Sequence, residues 1–365
     1  MAIIALFGNS VMATTGEGEE AYKQQHYEKA FLLLSDEAAK GDAKAQFLLG
    51  KMYYNAQGVA YDAQKTEQYL LASANQGNAD AETLLAGFYW SLNTSEGFSK
   101  AMSWYQKGAA LNNPEAMYGL GYMYEYGNGV PADSAAAITW YQKAAALDHA
   151  DASLSIGYMY DTGKGVKKDV NEAIKWYTKA SEQGSSGAQY NLGLLYEYGE
   201  SVPKDLPKAL EYFQKASDKG NDKAQVELGY LYESGMGVSI DKQKAFSWYK
   251  KSADQNNREA QYYLADMFFH GEGVDKSLDQ SLVWIKKSAM QGYARAQNRL
   301  GVFYRDGIGV SANPVDAYAW FAASVANGYA DASKNQEDLE KTMKPEQLIQ
   351  AKDLANTYIS RYQKK

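Results

Sequence analysis

The sequence predicts an all-α fold: a right-handed α-α superhelical solenoid of helix-turn-helix repeats with a terminal capping helix. Two observations predict it. Aligned pairs recur at Leu49-Gly50, Leu85-Ala86, Leu120-Gly121, Ile156-Gly157, Leu192-Gly193, Leu228-Gly229, Leu264-Ala265 and Leu300-Gly301, at steps of 36, 35, 36, 36, 36, 36 and 36 residues. Self-similarity at one fixed period is the signature of a repeat array. Each copy also holds two stretches of helical apolar spacing separated by a turn, glycine-rich in most copies. A hairpin with one apolar face per helix cannot bury both faces alone, so the units are expected to stack.

The chain opens with the short apolar run AIIALFGNSVMA, broken by Gly8-Asn9-Ser10 and ending in small residues at Val11-Met12-Ala13. Residues 1–13 therefore read as a signal peptide. The first Lys is Lys23, so a basic flank would have to lie upstream of Met1, and the alternative is a frayed apolar tail. Residues 14–41 include AYKQQHYEKAFLLL, which has no glycine break and is expected to form a tetratricopeptide-like capping hairpin. Residues 332–365 are expected to cap the other end. There Lys344-Pro345 starts a helix whose inner stripe is Leu348, Ala351, Ala355, Tyr358 and Tyr362, and terminal units of solenoids need a polar outer face.

Residues 42–331 hold the eight repeats, and the fourth shows their logic. Ala152, Ile156 and Tyr160 share one face of a first helix, helix A, and Met159 widens it. Gly163 and Gly165 stop that helix, and Val166 plugs the gap. Asp169 is placed as N-cap of a second helix, helix B, with Glu172 completing a capping box. Ala173, Trp176, Tyr177 and Ala180 form the apolar face of helix B, and Gly184 closes the unit. The second copy, with SLNTSEGFSK at 91–100, lacks the double glycine, and in the fifth Ser201 replaces the second glycine. Altered loops are expected at both places.

The pattern A-x3-L-G-x2-Y-x2-G-x-G-V-x2-D-x3-A-x2-W-Y-x-K-A resembles the Sel-one-like repeat (SLR) family, a relative of the tetratricopeptide repeat. The resemblance covers about four-fifths of the chain. It implies an interaction scaffold. Bacterial proteins of this kind are often exported and contribute to envelope assembly, signalling or host interaction.

Composition narrows the chemistry. The chain has no cysteine, a formal net charge of −7 and three histidines, His26, His149 and His270. Disulfides, thiolate metal sites and a cysteine nucleophile are excluded, and a whole-chain positive field for nucleic acid is absent. Apart from the opening run, no stretch approaches the ~18 apolar residues of a membrane span. GYMYDTGKG at 157–165 has five residues between glycines where a phosphate loop has four. Ser201-Val-Pro-Lys204 matches S-x-x-K without its companion motifs. The histidines are read as solvated surface residues, and Asp62, Asp133, Asp169, Asp205 and Asp241 as N-caps. No cofactor, metal or catalytic residue is expected.

A binding surface is expected on helix A, opposite its core positions. Numbered from the glycine of each Leu-Gly pair, the core is −5, −1 and +3. Positions −3, +1 and +4 point the other way at ~100° per residue and, by analogy with tetratricopeptide domains, line a concave groove. They carry Tyr118, Tyr122 and Glu125 in repeat three, Tyr158 and Asp161 in repeat four, and Tyr190 and Glu197 in repeat five. Tyr230 and Glu233 follow in repeat six, and Tyr262 and Phe269 in repeat seven. An acidic row beside a tyrosine stripe fits a protein or peptide partner with a basic or amphipathic segment, with carbohydrate stacking as the lesser alternative.

The expected function is a non-catalytic scaffold or adaptor, periplasmic or secreted, or cytoplasmic if residues 1–13 are no signal. One alternative is a periplasmic regulator or chaperone-like subunit of an envelope or secretion complex. A second is a penicillin-binding or β-lactam-hydrolysing enzyme using Ser201.

Overall fold

The computed structural model describes residues 15–363, so the apolar run at 1–13 lies outside the described residues. Among the described residues there are twenty helices and no strand. They fall into two compact units, one ending at Gly184 and one beginning at Ser185.

In the first unit a hairpin of Thr15–Lys23 and Tyr27–Ala39 precedes four repeats. Their helix pairs are Ala43–Asn55 with Ala63–Ala74, Ala79–Ser91 with Ser95–Ala110, Pro114–Tyr126 with Ser134–Ala146, and Ala150–Thr162 with Val170–Glu182. The second unit has Ser186–Tyr198 with Leu206–Asp218, Asp222–Ser234 with Lys242–Asp254, Arg258–His270 with Leu278–Met290, and Ala294–Asp306 with Pro314–Ala326. Ala332–Glu340 and Pro345–Tyr362 complete it. Within each unit successive helices pack on one another, the packing of a solenoid of helical hairpins, except that Pro345–Tyr362 packs chiefly on Pro314–Ala326 rather than on Ala332–Glu340.

Helix A buries the alanine at −5 and the Leu or Ile at −1 in all eight repeats, each fully removed from solvent. The expected +3 is buried only in repeats one and two, as Tyr53 and Tyr89; in most repeats the third core position is +2. Met52, Phe88, Met123, Met159, Leu231, Met267 and Phe303 at +2 are buried, whereas Tyr124, Tyr160, Tyr196, Tyr232, Phe268 and Tyr304 at +3 are only half-buried. The backbone at +3 closes the loop instead. The carbonyls of Tyr124, Tyr160, Tyr196 and Tyr232 accept from the N–H of the helix-B N-caps Asp133, Asp169, Asp205 and Asp241 at 2.8–2.9 Å.

The glycine of the Leu-Gly pair is a notch for a helix-B side chain twenty residues on. A Cβ added at Gly121, Gly157, Gly193 or Gly229 would stand 2.5 Å from the ring of Tyr141, Tyr177, Phe213 or Tyr249, and all four rings are fully buried. Where the notch is filled by Ala265, the facing residue is the smaller Ile285. Where it is filled by Ala86, the neighbouring aromatic Tyr105 packs elsewhere: it lies against Gly119 of the next helix A, where a Cβ would meet its ring at 2.6 Å.

The glycine loop uses two left-handed residues for two reasons. Gly163, at φ 79°, ends helix A with its N–H bonded to the Met159 carbonyl. Gly165, at φ 75°, also lies against the preceding helix B, where a Cβ would come within 2.3 Å of Ser134 Cβ. In the fifth repeat Ser201 does not take a positive φ. In the second repeat the loop shrinks to a turn at Asn93, φ 52°, and helix B starts at once from the N-cap Thr94 and runs 16 residues.

The five predicted aspartates each accept a first-turn N–H as N-cap. Glu172 does not close a capping box; it pairs with Lys175. A second set of polar contacts, unsuspected from the sequence, ties helix layers together. Gln46, Gln261 and Gln297 at position −4 are buried and donate to the carbonyls of Ala38, Ala253 and Ala289 at 3.1–3.4 Å. Their own oxygens accept from Gln76, Gln291 and Asn327 at 2.8–2.9 Å. Buried backbone carbonyls at helix ends are satisfied this way.

Candidate functional site

The two exposed tyrosines of the expected stripe are Tyr158, 49% exposed, and Tyr230, 41% exposed. Tyr118, Tyr122, Tyr190, Tyr262 and Phe269 are half-buried. In the first unit Tyr122 meets Trp90 edge-on at 5.8 Å and Tyr126 at 4.4 Å, and Tyr118 stacks on His149 at 4.8 Å. In the second unit Tyr190 donates from its hydroxyl to Glu227 at 3.3 Å. Tyr262 packs edge-on to Tyr293 at 5.5 Å, and the Arg299 guanidinium lies 4.6 Å over Phe269. Tyr126 and Tyr198, at +5 and well exposed, extend the aromatic surface. Their position beside Glu125 and Glu197 could have revealed them in the sequence.

The acidic row does not stand in the open. Glu125 is 8% exposed and Glu197 4%, which corrects their expected role as charges offered to a partner. Position +4 is one helical turn beyond the glycine notch and within about 40° of it on the helix. A tyrosine filling the notch therefore aims its hydroxyl at +4. Tyr141 donates to Glu125 at 2.6 Å and Tyr249 to Glu233 at 2.8 Å. Lys164, from the next glycine loop, donates to the other Glu125 oxygen at 2.8 Å, and Lys242 lies 3.4 Å from Glu233. Asp161 and Glu233 are half-buried. Reversing all four acids would break this inner pairing before it tested a groove.

Glu197 has lost the arrangement. Its notch is filled by Phe213, which has no hydroxyl, and Glu197 Oε2 is buried without a hydrogen-bond partner. Burial raises the Glu197 carboxyl above its ordinary range, opposed by Lys204. Close by in charge, Glu227 is pushed up to about 7 by burial and by the carboxylates of Glu197 and Glu259. No local pattern signals this trio, because its members come from three separate repeats.

His149 is also unlike its expectation as a solvated residue. Its side chain is 11% exposed. It is the N-cap of helix A in repeat four: Nδ1 accepts from the Ala152 N–H at 3.1 Å, while Nε2 stands 2.9 Å from Glu115 Oε2.

Eight successive repeats are also what comparison with known proteins finds. The Sel1 repeat matches at residues 43–78, 79–113, 114–149, 150–185, 186–221, 222–257, 258–293 and 294–329. The chain belongs to the Sel1 repeat family.

Among solved structures, this Sel1 repeat protein is similar to c5321, described as a protective antigen present in uropathogenic Escherichia coli strains displaying an SLR fold. Identity is 30%, covering 95% of this chain and 85% of that one, with a TM-score of 0.50. It is also similar to a Sel1 repeat protein from Oxalobacter formigenes, at 32% identity over 66% of this chain and 96% of that one, with a TM-score of 0.59. Among curated proteins it is 34% identical over 127 residues to the ERAD-associated E3 ubiquitin-protein ligase component HRD3A of Arabidopsis thaliana, 31% of this chain and 19% of that protein. It is 33% identical over 116 residues to chitin synthase regulatory factor 3 of Schizosaccharomyces pombe, 30% of this chain and 12% of that protein. The matches thus span a fifth or less of these two curated relatives. Sel1 repeats form a scaffold-type fold, and among the described residues no helix is long and apolar enough to cross a membrane.

Proposed function

We propose that the protein is a non-catalytic interaction scaffold that holds a basic or amphipathic segment of another polypeptide on the helix-A face of its units. The observation that carries this is the exposure of Tyr158 and Tyr230 on helix A. Large aromatics left in water are unfavourable, and Tyr and Trp dominate the anchors of protein interfaces. The tryptophans of helix B are different: Trp104, Trp140 and the buried Trp284 each lie under a lysine of their own helix at 3.6–4.0 Å. With Glu125 and Glu197 inside, the acidic character of the face rests on Glu115, Glu227, Glu259 and the half-buried Asp161 and Glu233.

A photo-crosslinking residue placed at Tyr158 or at Tyr230 should capture a partner in the native cell, whereas the same residue at Lys175, on the outer side of helix B, should not. The captured partner should then bind Y158A and Y230A about tenfold or more weakly. Equal capture from Lys175, with unchanged affinity of both alanine variants, would overturn the proposal.

We also place this role outside the cytoplasm. Val11-Met12-Ala13 supply the small residues a signal peptidase takes, and c5321, similar over 95% of this chain, is described as a protective antigen. Amino-terminal sequencing of fractionated protein should find a mature end near Ala13. A chain retaining Met1 in the cytosol would refute that location.

A further inference from the structure

One cleft of the first unit is shaped by the irregular second repeat. Because that repeat is one residue short and has Ala86 in its notch, Tyr105 swings onto Gly119 of the next helix A. Its hydroxyl lies 3.7 Å from where a Cβ of Gly87 would be. Position +1 carries Tyr122, Tyr158 and Tyr230 in other repeats, whereas Gly87 places no side chain beside Tyr105. The result is a cleft of about 290 Å³ lined by Trp90, Tyr105, Glu115, Tyr118 and Tyr122.

Among the described residues, the one charged side chain lining this cleft is that of Glu115, which is 65% exposed. His149 Nε2 stands 2.9 Å from Glu115 Oε2, while its Nδ1 accepts the Ala152 N–H. The His149–Glu115 hydrogen bond holds the Glu115 carboxyl below the usual carboxylate range. Among the described residues no lysine or arginine lies over Trp90, Tyr105, Tyr118 or Tyr122, in contrast to the lysine-covered tryptophans of helix B. Rings with a free carboxylate at their rim attract a cation through the ring quadrupole and the charge together. Glu115 Oε1 accepts no hydrogen bond among the described residues, while Oε2 is engaged by His149. A carboxylate with one oxygen engaged receives a point-charge ammonium more readily than a guanidinium fork, which is matched by both oxygens.

We propose that this cleft is the specificity pocket for one lysine side chain of the bound polypeptide. The inference rests on the scaffold reading above and names what that face selects. The aliphatic stem lies against Tyr105 and Tyr118, and the ammonium sits between the aromatic faces and Glu115 Oε1.

The test uses the full chain labelled with 5-fluorotryptophan, the Trp90 resonance being assigned by W90F. The probes are the blocked tripeptides acetyl-Gly-Lys-Gly-amide, its arginine counterpart and its norleucine counterpart. The lysine probe should shift the Trp90 fluorine signal saturably at millimolar concentration, and norleucine should bind about tenfold more weakly. E115Q, which keeps an acceptor for His149, should weaken lysine about fivefold and leave norleucine unchanged. G87Y, which puts at +1 the tyrosine that other repeats carry there, should block the lysine shift while the far-ultraviolet circular dichroism stays the same. Equal binding of lysine and norleucine, tighter binding of arginine, or no shift at all would each overturn the pocket. If the pocket fails while crosslinking at Tyr158 and Tyr230 succeeds, the scaffold reading survives without it.

Discussion

Substituting Gly193 by alanine separates tertiary packing from helix propensity, because the two predict opposite signs. Gly193 lies inside Ser186–Tyr198, where alanine is the better helix former by about 1 kcal/mol. Its added Cβ would stand 2.5 Å from Phe213 Cε1, 2.6 Å from Cδ1 and 3.0 Å from Cζ. Carbon atoms prefer roughly 3.5–4.0 Å, so the methyl overlaps three atoms of a fully buried flat ring. Overpacking at the upper end of its usual range costs about 3 kcal/mol. The net expectation is destabilisation by about 2 kcal/mol, read as a urea midpoint about 1 M lower for a slope near 2 kcal/mol/M. The chain supplies its own control in Ala265 opposite Ile285. The double variant G193A/F213I should recover part of the loss, with a coupling energy of about 1 kcal/mol or more between the two sites. Far-ultraviolet circular dichroism during urea titration measures all four species. A G193A midpoint equal to or above the parent would refute the notch and leave only propensity.

The buried carboxylates lend themselves to three more tests. F213Y places a hydroxyl where Tyr141 and Tyr249 have theirs, giving Glu197 the donor it lacks; the denaturation midpoint should rise by the equivalent of about 1 kcal/mol. Glu82, which stands at the −4 position used by Gln46, Gln225, Gln261 and Gln297, has Oε2 buried without a hydrogen-bond partner and is raised by burial. E82Q should therefore stabilise by about 1 kcal/mol at pH 8, the gain shrinking as the pH falls into the ordinary carboxylate range. Glu227 titrates near 7 when folded and near 4.5 when unfolded, so between those values the folded chain holds the extra proton and stability falls as the pH rises. E227Q should match the parent below about pH 4.5 and exceed it by up to about 3 kcal/mol above pH 7; parallel pH profiles for the two proteins in thermal melts would contradict the assignment.

The stacked-hairpin class, the −5 and −1 core and the aspartate N-caps were all legible in the sequence. Each depends on residues only a few positions apart, and eight copies report the same local rule. Outside repeats one and two, where Tyr53 and Tyr89 are buried, the third core position was misplaced by one residue because a helical period alone does not say where the neighbouring helix lies. The +2 side chain faces that neighbour, and the +3 carbonyl closes the loop. The exposed Tyr158 and Tyr230 were found in the same way, since a position opposite the core stays outside unless another element covers it.

What the tertiary structure decided is where charge ends up. Glu125 and Glu197 looked like open carboxylates because the helical wheel of one helix omits the ring that enters the glycine notch from twenty residues away. The glutamine ties, the Glu197, Glu227 and Glu259 trio, and the Tyr105 cleft likewise join residues from different hairpins. Local periodicity fixes which face of a helix is apolar. Only packing fixes which polar atoms lose water, and burial in a low-dielectric interior then decides whether a carboxylate is paired, protonated or free to meet a partner.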